Sequence, residues 1–312
     1  MNGNDPNPRQ AKLVHDLAVL DTRAITRRRA LGLIAGGGVT VLMARRASAD
    51  AGFAEADAAA CEMLPEEGRG PFPADGTGSA RGTIPNILAQ SGIVRSDITR
   101  SFGSRSTVAP GVPLRLSIRL QDVDGACAAL VEHAVYVWQC DREGQYSLYS
   151  GELARENYLR GVQLTDDKGE VTFQTIVPAC YPGRYPHIHV EVFSRDAVMS
   201  GFKNSILASQ LIMPRGVCER VYRHGSGYGE SLRHLARVTV ATDQVFDSST
   251  AAQVAAQTPA IAGSPDAGYT GAVRIGIRGA GRSSTAPNLH RGRRAVLARL
   301  SDRPTDAPRT KA

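Results

Sequence analysis

The residues Tyr181–Val192 read Tyr-Pro-Gly-Arg-Tyr-Pro-His-Ile-His-Val-Glu-Val, and this stretch constrains the protein more than any other. Alternate side chains of a β-strand point to the same face, so the isoleucine and valines face a core while His187 and His189 project together from the other face. Two adjacent imidazoles are a natural pair of metal ligands. The same pattern also occurs in partly exposed sheet histidines, so by itself it leaves both interpretations open.

Period-two alternation recurs along the chain. Leu114–Leu120 alternates apolar with polar residues, which predicts a half-buried strand. Further strands are predicted at Ala134–Gln139, Val162–Leu164, Val171–Ile176, His187–Phe193, Ile206–Ile212, Val238–Ala241 and Val273–Ile277. The residues Asp166–Gly169 between two of them have turn chemistry and indicate a hairpin. Helix signals are few, so we expect an all-β fold, an antiparallel β-sandwich.

Composition divides the chain into four parts. Residues 1–49 are predicted to be a signal peptide, and residues 50–110, rich in Gly, Pro, Ser and Ala, an extended N-terminal arm that packs on the core. Residues 111–278 form the sandwich, and residues 279–312 are predicted to be a basic, disordered tail.

The first part has the order of an export signal. Arg27-Arg28-Arg29 precedes the uncharged stretch Ala30–Ala44, and Ala47-Ser48-Ala49 follows as a small-residue cleavage site. Fifteen apolar residues are fewer than the roughly 20 that a membrane span needs. The paired arginines resemble a twin-arginine signal, which predicts an exported protein without a stable membrane span after cleavage. An uncleaved N-terminal anchor is the alternative.

Charge and cysteine content exclude other classes. The net charge is +7, but residues 50–278 hold 21 Lys and Arg against 25 Asp and Glu. The basic balance lies in the two ends, which argues against a nucleic-acid-binding domain. None of the five cysteines forms a Cys-x-x-Cys pair, which excludes the common zinc ribbons. At most two disulfides can form, and the sequence does not reveal their pairing or the oligomeric state.

Two tyrosines accompany the histidine pair. Tyr181 lies six residues before His187, and Tyr146 follows the strand that contains Trp138. A phenol ionises near pH 10, so only a strong Lewis acid makes it a ligand at neutral pH. Two phenolates with two imidazoles would favour Fe(III), since softer metals prefer thiolates. Two ordinary sheet-edge tyrosines remain possible from spacing alone.

The ordered motifs resemble a known family. Residues 138–146 follow the pattern Trp-Gln-x-Asp-x-x-Gly-x-Tyr, and residues 181–189 follow Tyr-Pro-x-Arg-x-Pro-His-Ile-His. Together with Asn157–Gln163 and Phe173–Ile176, they resemble the intradiol ring-cleavage dioxygenases, in particular the exported, single-domain branch. The resemblance extends over residues 60–278 and is densest in residues 131–212.

The resemblance implies a β-sandwich and a mononuclear non-haem Fe(III) held by Tyr146, Tyr181, His187 and His189 with a solvent hydroxide. It implies that Tyr181 leaves the metal when substrate binds while Tyr146 stays. Arg184 matches the arginine that stabilises negative charge on the substrate. Gln210 matches the glutamine that lines the pocket.

The implied reaction is oxidative cleavage of a catechol between its two hydroxyl-bearing carbons by O2, with no flavin, nicotinamide or external reductant. One departure concerns Gly68–Pro73, where catabolic members carry Thr-Glu-Gly-Pro-Tyr-Tyr. We expect any pocket contact from that tyrosine pair to be lost. This departure sustains an alternative function, a non-catalytic β-sandwich that binds a ligand or cell-envelope component. A weaker alternative is a zinc or copper hydrolase or oxidase using only His187 and His189.

Overall fold

The structure is a computed structural model that describes Phe53 and residues 62–77, 84–195 and 203–278. The predicted signal peptide and basic tail lie outside the described residues, as does Cys61. Among the helices of the described ranges, none combines the length and the apolar character that a membrane crossing requires.

Within these ranges the strands form two sheets. The strands are β1 (Pro113–Asp122), β2 (Ala128–Ala129), β3 (His133–Trp138), β4 (Arg160–Leu164), β5 (Glu170–Ile176), β6 (His187–Ser194), β7 (Ser205–Ile212), β8 (Ala260–Ser264) and β9 (Gly268–Ile277). One sheet has the order β2-β1-β9-β8, with β5 also paired to β1, and the other has the order β4-β3-β6-β7. The predicted all-β fold is confirmed. The strand pairs are antiparallel except for β1 with β9, which is parallel.

The core combines apolar side chains from both sheets. Leu116 and Ile118 of β1 and Val190 and Val192 of β6 belong to one buried cluster. Burial of such side chains is the main favourable contribution to folding. In β6, every residue from His187 to Phe193 is buried, so the histidine face is covered as well as the valine face.

The turn at Asp166–Gly169 is present, but the predicted hairpin is wrong. Asp166 Oδ1 accepts hydrogen bonds from the backbone N–H groups of Lys168 and Glu170, both at 2.9 Å. The turn joins strands of different sheets, because β4 pairs with β3 and β5 pairs with β1. Local turn chemistry fixed the reversal of direction, and tertiary packing selected the partners.

The strand predicted at Val238–Ala241 is also wrong. The 3-10 turn Val240–Thr242 overlaps the end of this segment and begins after Thr239. Thr239 N–H donates to the hydroxyl of Thr242 at 2.9 Å, and Asp243 N–H donates back to Thr239 O at 3.1 Å. Threonine side chains compete effectively for backbone groups in this way, so a short alternating run without a partner strand forms a turn.

Three α-helices follow β7 and escaped sequence prediction: α1 (Arg215–His224), α2 (Ser231–Leu235) and α3 (Ala251–Gln257). The longest, α1, buries Val217, Cys218, Val221 and Tyr222 on one face. Helix α3 starts at Thr250 with a capping box completed by Gln253, a signal visible in the sequence. Helix α3 ends at Gln257, and Asp243 lies in the segment between α2 and α3. Both residues make contacts beside the site described in the next subsections.

The chain before β1 runs along the sheets. Glu67 N–H donates to Ala208 O of β7 at 2.7 Å, and Ile98 N–H donates to Gln174 O of β5 at 2.9 Å. Leu64, Ile87 and Ile98 are buried in the main core cluster. Residues 62–77 therefore extend the surface beside β7 and reach the histidine face of the second sheet.

Candidate metal centre

The histidine face of the second sheet carries one row of cross-strand neighbours. Arg160 of β4 lies opposite Trp138 of β3, Trp138 lies opposite His189 of β6, and His189 lies opposite Gln210 of β7. Directly opposed residues project from the same face of a sheet. Register alone therefore aligns a guanidinium, an indole, an imidazole and an amide.

Four donor atoms meet at the end of this row. His187 Nε2 lies 3.2 Å from His189 Nε2 and 3.2 Å from the Tyr181 hydroxyl. The Tyr146 hydroxyl lies 3.4 Å from the Tyr181 hydroxyl and 3.4 Å from His189 Nε2. The four atoms form a closed ring in which each has two neighbours. The structure thus brings together the four side chains for which the resemblance implied a common metal.

The loop between β3 and β4 positions Tyr146. Asp141 Oδ1 accepts hydrogen bonds from the N–H groups of Glu143 and Gln145, both at 2.9 Å, which closes a turn. Gly144 completes it at φ +82°, and a Cβ there would lie 3.0 Å from Tyr181 Cβ. The aspartate and glycine of the motif therefore allow the two tyrosine loops to approach each other.

A second turn positions Tyr181. Arg184 N–H donates to Tyr181 O at 3.3 Å, and Gly183 lies between them at φ +80°. Cys180 N–H donates to the Ser231 hydroxyl of α2 at 3.1 Å, which fixes the start of the turn. Tyr181 is half-buried, whereas Tyr146 is fully buried. Of the two phenols, Tyr181 is the one with room to move.

Both imidazoles are held in the neutral form, and His187 aims a lone pair at the centre. Burial lowers the pKa of His187 to about 3 and holds the pKa of His189 well below its usual range. His187 Nδ1 donates to Tyr185 O at 2.6 Å, which leaves Nε2 unprotonated. His189 Nδ1 is buried without a hydrogen-bond partner among the described residues.

Both phenols are held in the neutral form by their surroundings. Burial raises the pKa of Tyr181 to about 12, and burial with the neighbouring Tyr181 raises the pKa of Tyr146 well above its ordinary value. A cation at the centre reverses this preference, because it stabilises the phenolate directly.

The donor set fits a metal ion. The centre of four atoms spaced by 3.2–3.4 Å lies about 2 Å from each of them, the length of a metal–nitrogen or metal–oxygen bond. In the described part of the chain, no three His, Cys, Asp or Glu side chains cluster as a metal site. The donor atoms that lie beside His187 and His189 are the hydroxyls of Tyr181 and Tyr146.

Arg184 lies beside the centre in a fixed orientation. Its Nε donates to Asp243 Oδ2 at 2.9 Å and to Oδ1 at 3.2 Å, and its Nη2 donates to Gln210 Oε1 at 2.6 Å. Asp243 also accepts from Tyr185 N–H at 2.6 Å. The aromatic ring of Phe246 lies 5.7 Å from the guanidinium carbon. The structure thus places both Arg184 and Gln210 next to the donor ring.

The arm lies over the same row. Gln210 Nε2 donates to Gly68 O at 3.1 Å, and a Cβ on Gly70 would lie 3.3 Å from His189 Cε1. The ring of Phe72 lies 4.8 Å from that of Tyr146. Pro73 O accepts from the Tyr136 hydroxyl at 2.7 Å. The hydroxyls of the tyrosine pair are absent from this segment, and Phe72 supplies an aromatic contact to Tyr146.

The chain is similar in sequence and in fold to known dioxygenases. A family model described as Dioxygenase matches residues 87–196, which contain all four donor residues and Arg184. An intradiol ring-cleavage dioxygenase from Tetranychus urticae is 24% identical, with 70% of this chain and 95% of that chain covered and a TM-score of 0.53. The dioxygenase Tetur07g02040 gives the same identity and coverage with a TM-score of 0.51.

Residues 87–196 are thus similar to the Dioxygenase family model, and the fold is similar to that of an intradiol ring-cleavage dioxygenase. A hydroxyquinol 1,2-dioxygenase from Pseudomonas putida DLL-E4 is 16% identical, with 88% of this chain and 93% of that chain covered and a TM-score of 0.41. No curated protein is similar enough in sequence to count as a match.

Sequence reasoning missed two residues that hold the site. Asp243 anchors Arg184 from 59 positions away and has no local motif. Arg160 is fully buried and donates to Ser147 O at 2.9 Å and to Pro73 O at 3.1 Å, so it joins the Tyr146 loop to the arm. Arg160 stood within a motif of the family resemblance, which was the signal available for it.

The described cysteines have distinct states. Cys140, Cys180 and Cys218 are buried free thiols. Cys127 is disulfide-bonded. Burial raises the pKa of the Cys180 thiol to about 12, so this thiol next to Tyr181 is unreactive.

Proposed function

We propose that the protein is a non-haem Fe(III) dioxygenase that opens a catechol-type ring between its two hydroxyl-bearing carbons. Both atoms of O2 enter the product, the ring carbon–carbon bond breaks, and two carboxyl groups form. The observation that supports this proposal most strongly is the ring of two phenol oxygens and two imidazole nitrogens, in which each atom lies 3.2–3.4 Å from its two neighbours.

The donor chemistry favours ferric ion over softer metals. Phenolate oxygens are hard and anionic, and imidazole accepts iron readily. Tyr146, Tyr181, His187 and His189 would hold the ion, and two phenolates would cancel two of its three positive charges. Bound Fe(III) would act as a Lewis acid that takes electron density from the dihydroxybenzene and makes its ring reactive towards O2.

Tyr181 is the residue that would exchange for substrate. The Tyr181 side chain is half-buried on a glycine-containing turn. The Tyr146 ring, in contrast, is buried and packs against Phe72, and the ring of His189 stacks on Trp138. Away from a metal, the Tyr181 oxygen would take up a proton from a substrate hydroxyl, since burial favours its phenol form. The site thereby contains its own base.

Arg184 would stabilise negative charge on the substrate ring. Its guanidinium is directed by Asp243 on one side and Gln210 on the other, so it needs no reorganisation during the reaction. Phe72 and Phe246 provide apolar walls on two sides of the centre.

The test is the colour and activity of the iron-loaded protein. Tyrosinate-to-ferric charge transfer should give a visible band, and Tyr146→Phe and His187→Ala should each abolish both the band and ring cleavage. Tyr158→Phe, a buried tyrosine outside the donor ring, and His224→Ala, an exposed histidine of α1, serve as matched controls that retain both.

Anaerobic titration with a panel of catechols identifies the substrate. A catechol that enters the site should shift the visible band to the red, and admission of O2 should then yield the ring-opened diacid. A protein that remains colourless after iron loading would instead favour a non-catalytic sandwich of the same fold. A zinc or copper enzyme would retain its metal in Tyr146→Phe.

We further propose that the protein is exported through the twin-arginine signal at residues 27–49. A disulfide at Cys127 is consistent with an oxidising compartment. Replacement of Arg28 and Arg29 by lysine should leave the protein inside the cell in a fractionation experiment, and unchanged export would contradict the proposal.

A further inference from the structure

A buried amide joins three elements beside the site. Gln257, the last residue of α3, is fully buried. Its Nε2 donates to Glu67 Oε1 of the arm at 2.7 Å and to Gln210 O of β7 at 2.9 Å. Both hydrogens of the amide are therefore used, and the amide ties the arm to the strand that carries Gln210.

One side-chain oxygen of Glu67 and one of Gln257 accept no hydrogen bond within the described part of the chain. Glu67 Oε2 and Gln257 Oε1 are both buried and have no hydrogen-bond partner among the described residues. Rotation of the amide by 180° does not help, because it would place Gln257 Oε1 against two acceptors, Glu67 Oε1 and Gln210 O. A buried acceptor left unsatisfied costs free energy, which favours a proton on one of these two oxygens.

We propose that Glu67 is protonated in the folded protein and donates from Oε2 to Gln257 Oε1, so that acid and amide form a two-bond pair that fastens the arm over the metal centre. One proton satisfies both orphaned oxygens. A carboxylic acid and a primary amide have complementary donor and acceptor edges, which makes this pairing geometrically natural.

The surrounding charges agree with a neutral acid. Neither α3 nor β7 carries a charged residue, and Glu66 on the arm is exposed. Arg184 and Asp243 both act on Glu67 but with opposite signs, and they are paired with each other. Burial dominates and raises the pKa of Glu67 to about 7.

Glu67 is thus a positioning residue, and its effect on catalysis rests on the proposed function. It precedes Gly68, whose carbonyl holds the Gln210 amide, and Gln210 in turn holds Arg184. Loss of the Glu67 proton weakens the attachment of the arm to Gln257. The positions of Gly70 and Phe72 against the donor residues then become less fixed.

The sign of the pH effect follows from linkage. Between pH 4.5 and about 7, the folded protein keeps a proton on Glu67 that the unfolded chain releases. Stability from this group is present at low pH and is lost as the pH rises through that window. The unfolding equilibrium constant increases by at most tenfold per pH unit on its account.

The test compares chemical unfolding of the purified full chain and three variants between pH 5 and 8. Glu67→Gln keeps both hydrogen bonds through an amide and lacks the titration, so its stability should fall less with pH than that of the wild type. Glu66→Gln is the matched control and should follow the wild type. Glu67→Ala should be less stable than Glu67→Gln at every pH.

Infrared spectroscopy gives a second readout that needs neither metal nor substrate. The difference spectrum of wild type minus Glu67→Gln at pH 6 should contain the carbonyl band of a protonated carboxylic acid. A carboxylate band there, or identical pH dependence of wild type and Glu67→Gln, would overturn the proposal. Neither result depends on ring cleavage, so it is separable from failure of the proposed function.

Discussion

The indole of Trp138 lies flat against the imidazole of His189, with ring centroids 4.6 Å apart and planes within 2° of parallel. The two residues are direct cross-strand neighbours of β3 and β6. Tyr136 stacks on Trp138 at 4.9 Å. The orientation of one proposed metal ligand is therefore set by a stack of rings that belongs to the sheet itself.

Trp138→Leu should weaken iron retention, because it removes the surface that orients His189. Groups that orient a metal ligand typically contribute 10- to 100-fold to affinity, and we expect a loss of about tenfold. Metal content after dialysis against a graded chelator measures it. Phe173→Leu, which removes a buried ring from the other sheet, is the control. It should lower the free energy of unfolding by ~1–3 kcal/mol and leave iron retention unchanged.

Gly70→Ala should damage the site from the arm. The new Cβ would lie 3.3 Å from His189 Cε1, and φ of +69° is unfavourable for alanine by about 1 kcal/mol. We expect a changed charge-transfer band together with a lower melting temperature. Gly103→Ala carries similar backbone strain at φ +81° with nothing within 4 Å, so it should lower stability and leave the band unchanged.

Asp243→Asn should leave the Arg184 guanidinium buried without its negatively charged partner. Breaking a buried ion pair by removing one partner costs about 3–5 kcal/mol, and misplacement of Arg184 should lower kcat/KM by about 100-fold. Denaturant unfolding and steady-state kinetics measure the two effects. Asp247→Asn, an exposed neighbour, should behave as wild type in both.

Iron binding should release protons from the two phenols and none from the histidines. The imidazoles are already neutral at neutral pH, since the pKa of His187 is about 3, whereas the pKa of Tyr181 is about 12. The apparent affinity for ferric ion should therefore rise by about two powers of ten per pH unit between pH 6 and 8. Tyr181→Phe should reduce that slope to about one, and an unchanged slope would remove Tyr181 from the ligand set.

Thiol counting tests the disulfide. Cys140, Cys180 and Cys218 are buried thiols, and Cys127 is oxidised. We expect no reaction with a thiol reagent in the native protein and three thiols per chain after denaturation without reductant. Four thiols would mean that Cys61 is free and that Cys127 pairs with another molecule.

The sequence was sufficient where the signal was local. The alternation in His187–Phe193 identified β6 and the shared face of its two histidines, and the motif in residues 138–146 singled out Tyr146. Both rely on chain geometry within about ten residues, which tertiary packing does not alter.

Features that depend on distant contacts were not predictable. Asp243 reaches Arg184 across 59 positions, and the arm reaches Gln210 across 142 positions at Gly68. The turn at Asp166–Gly169 was identified, but its flanking strands joined different sheets because their apolar faces found better partners elsewhere. Val238–Ala241 alternates like a strand and yet lacks a neighbour to pair with.

The cross-strand row of Arg160, Trp138, His189 and Gln210 ties chemistry to strand alignment. Slippage of β7 by a single position would bring Leu211 opposite His189 and turn the amide into the apolar core, leaving Arg184 without one of its two supports. Under the proposed function, selection for ring cleavage would therefore also preserve the alignment of these strands.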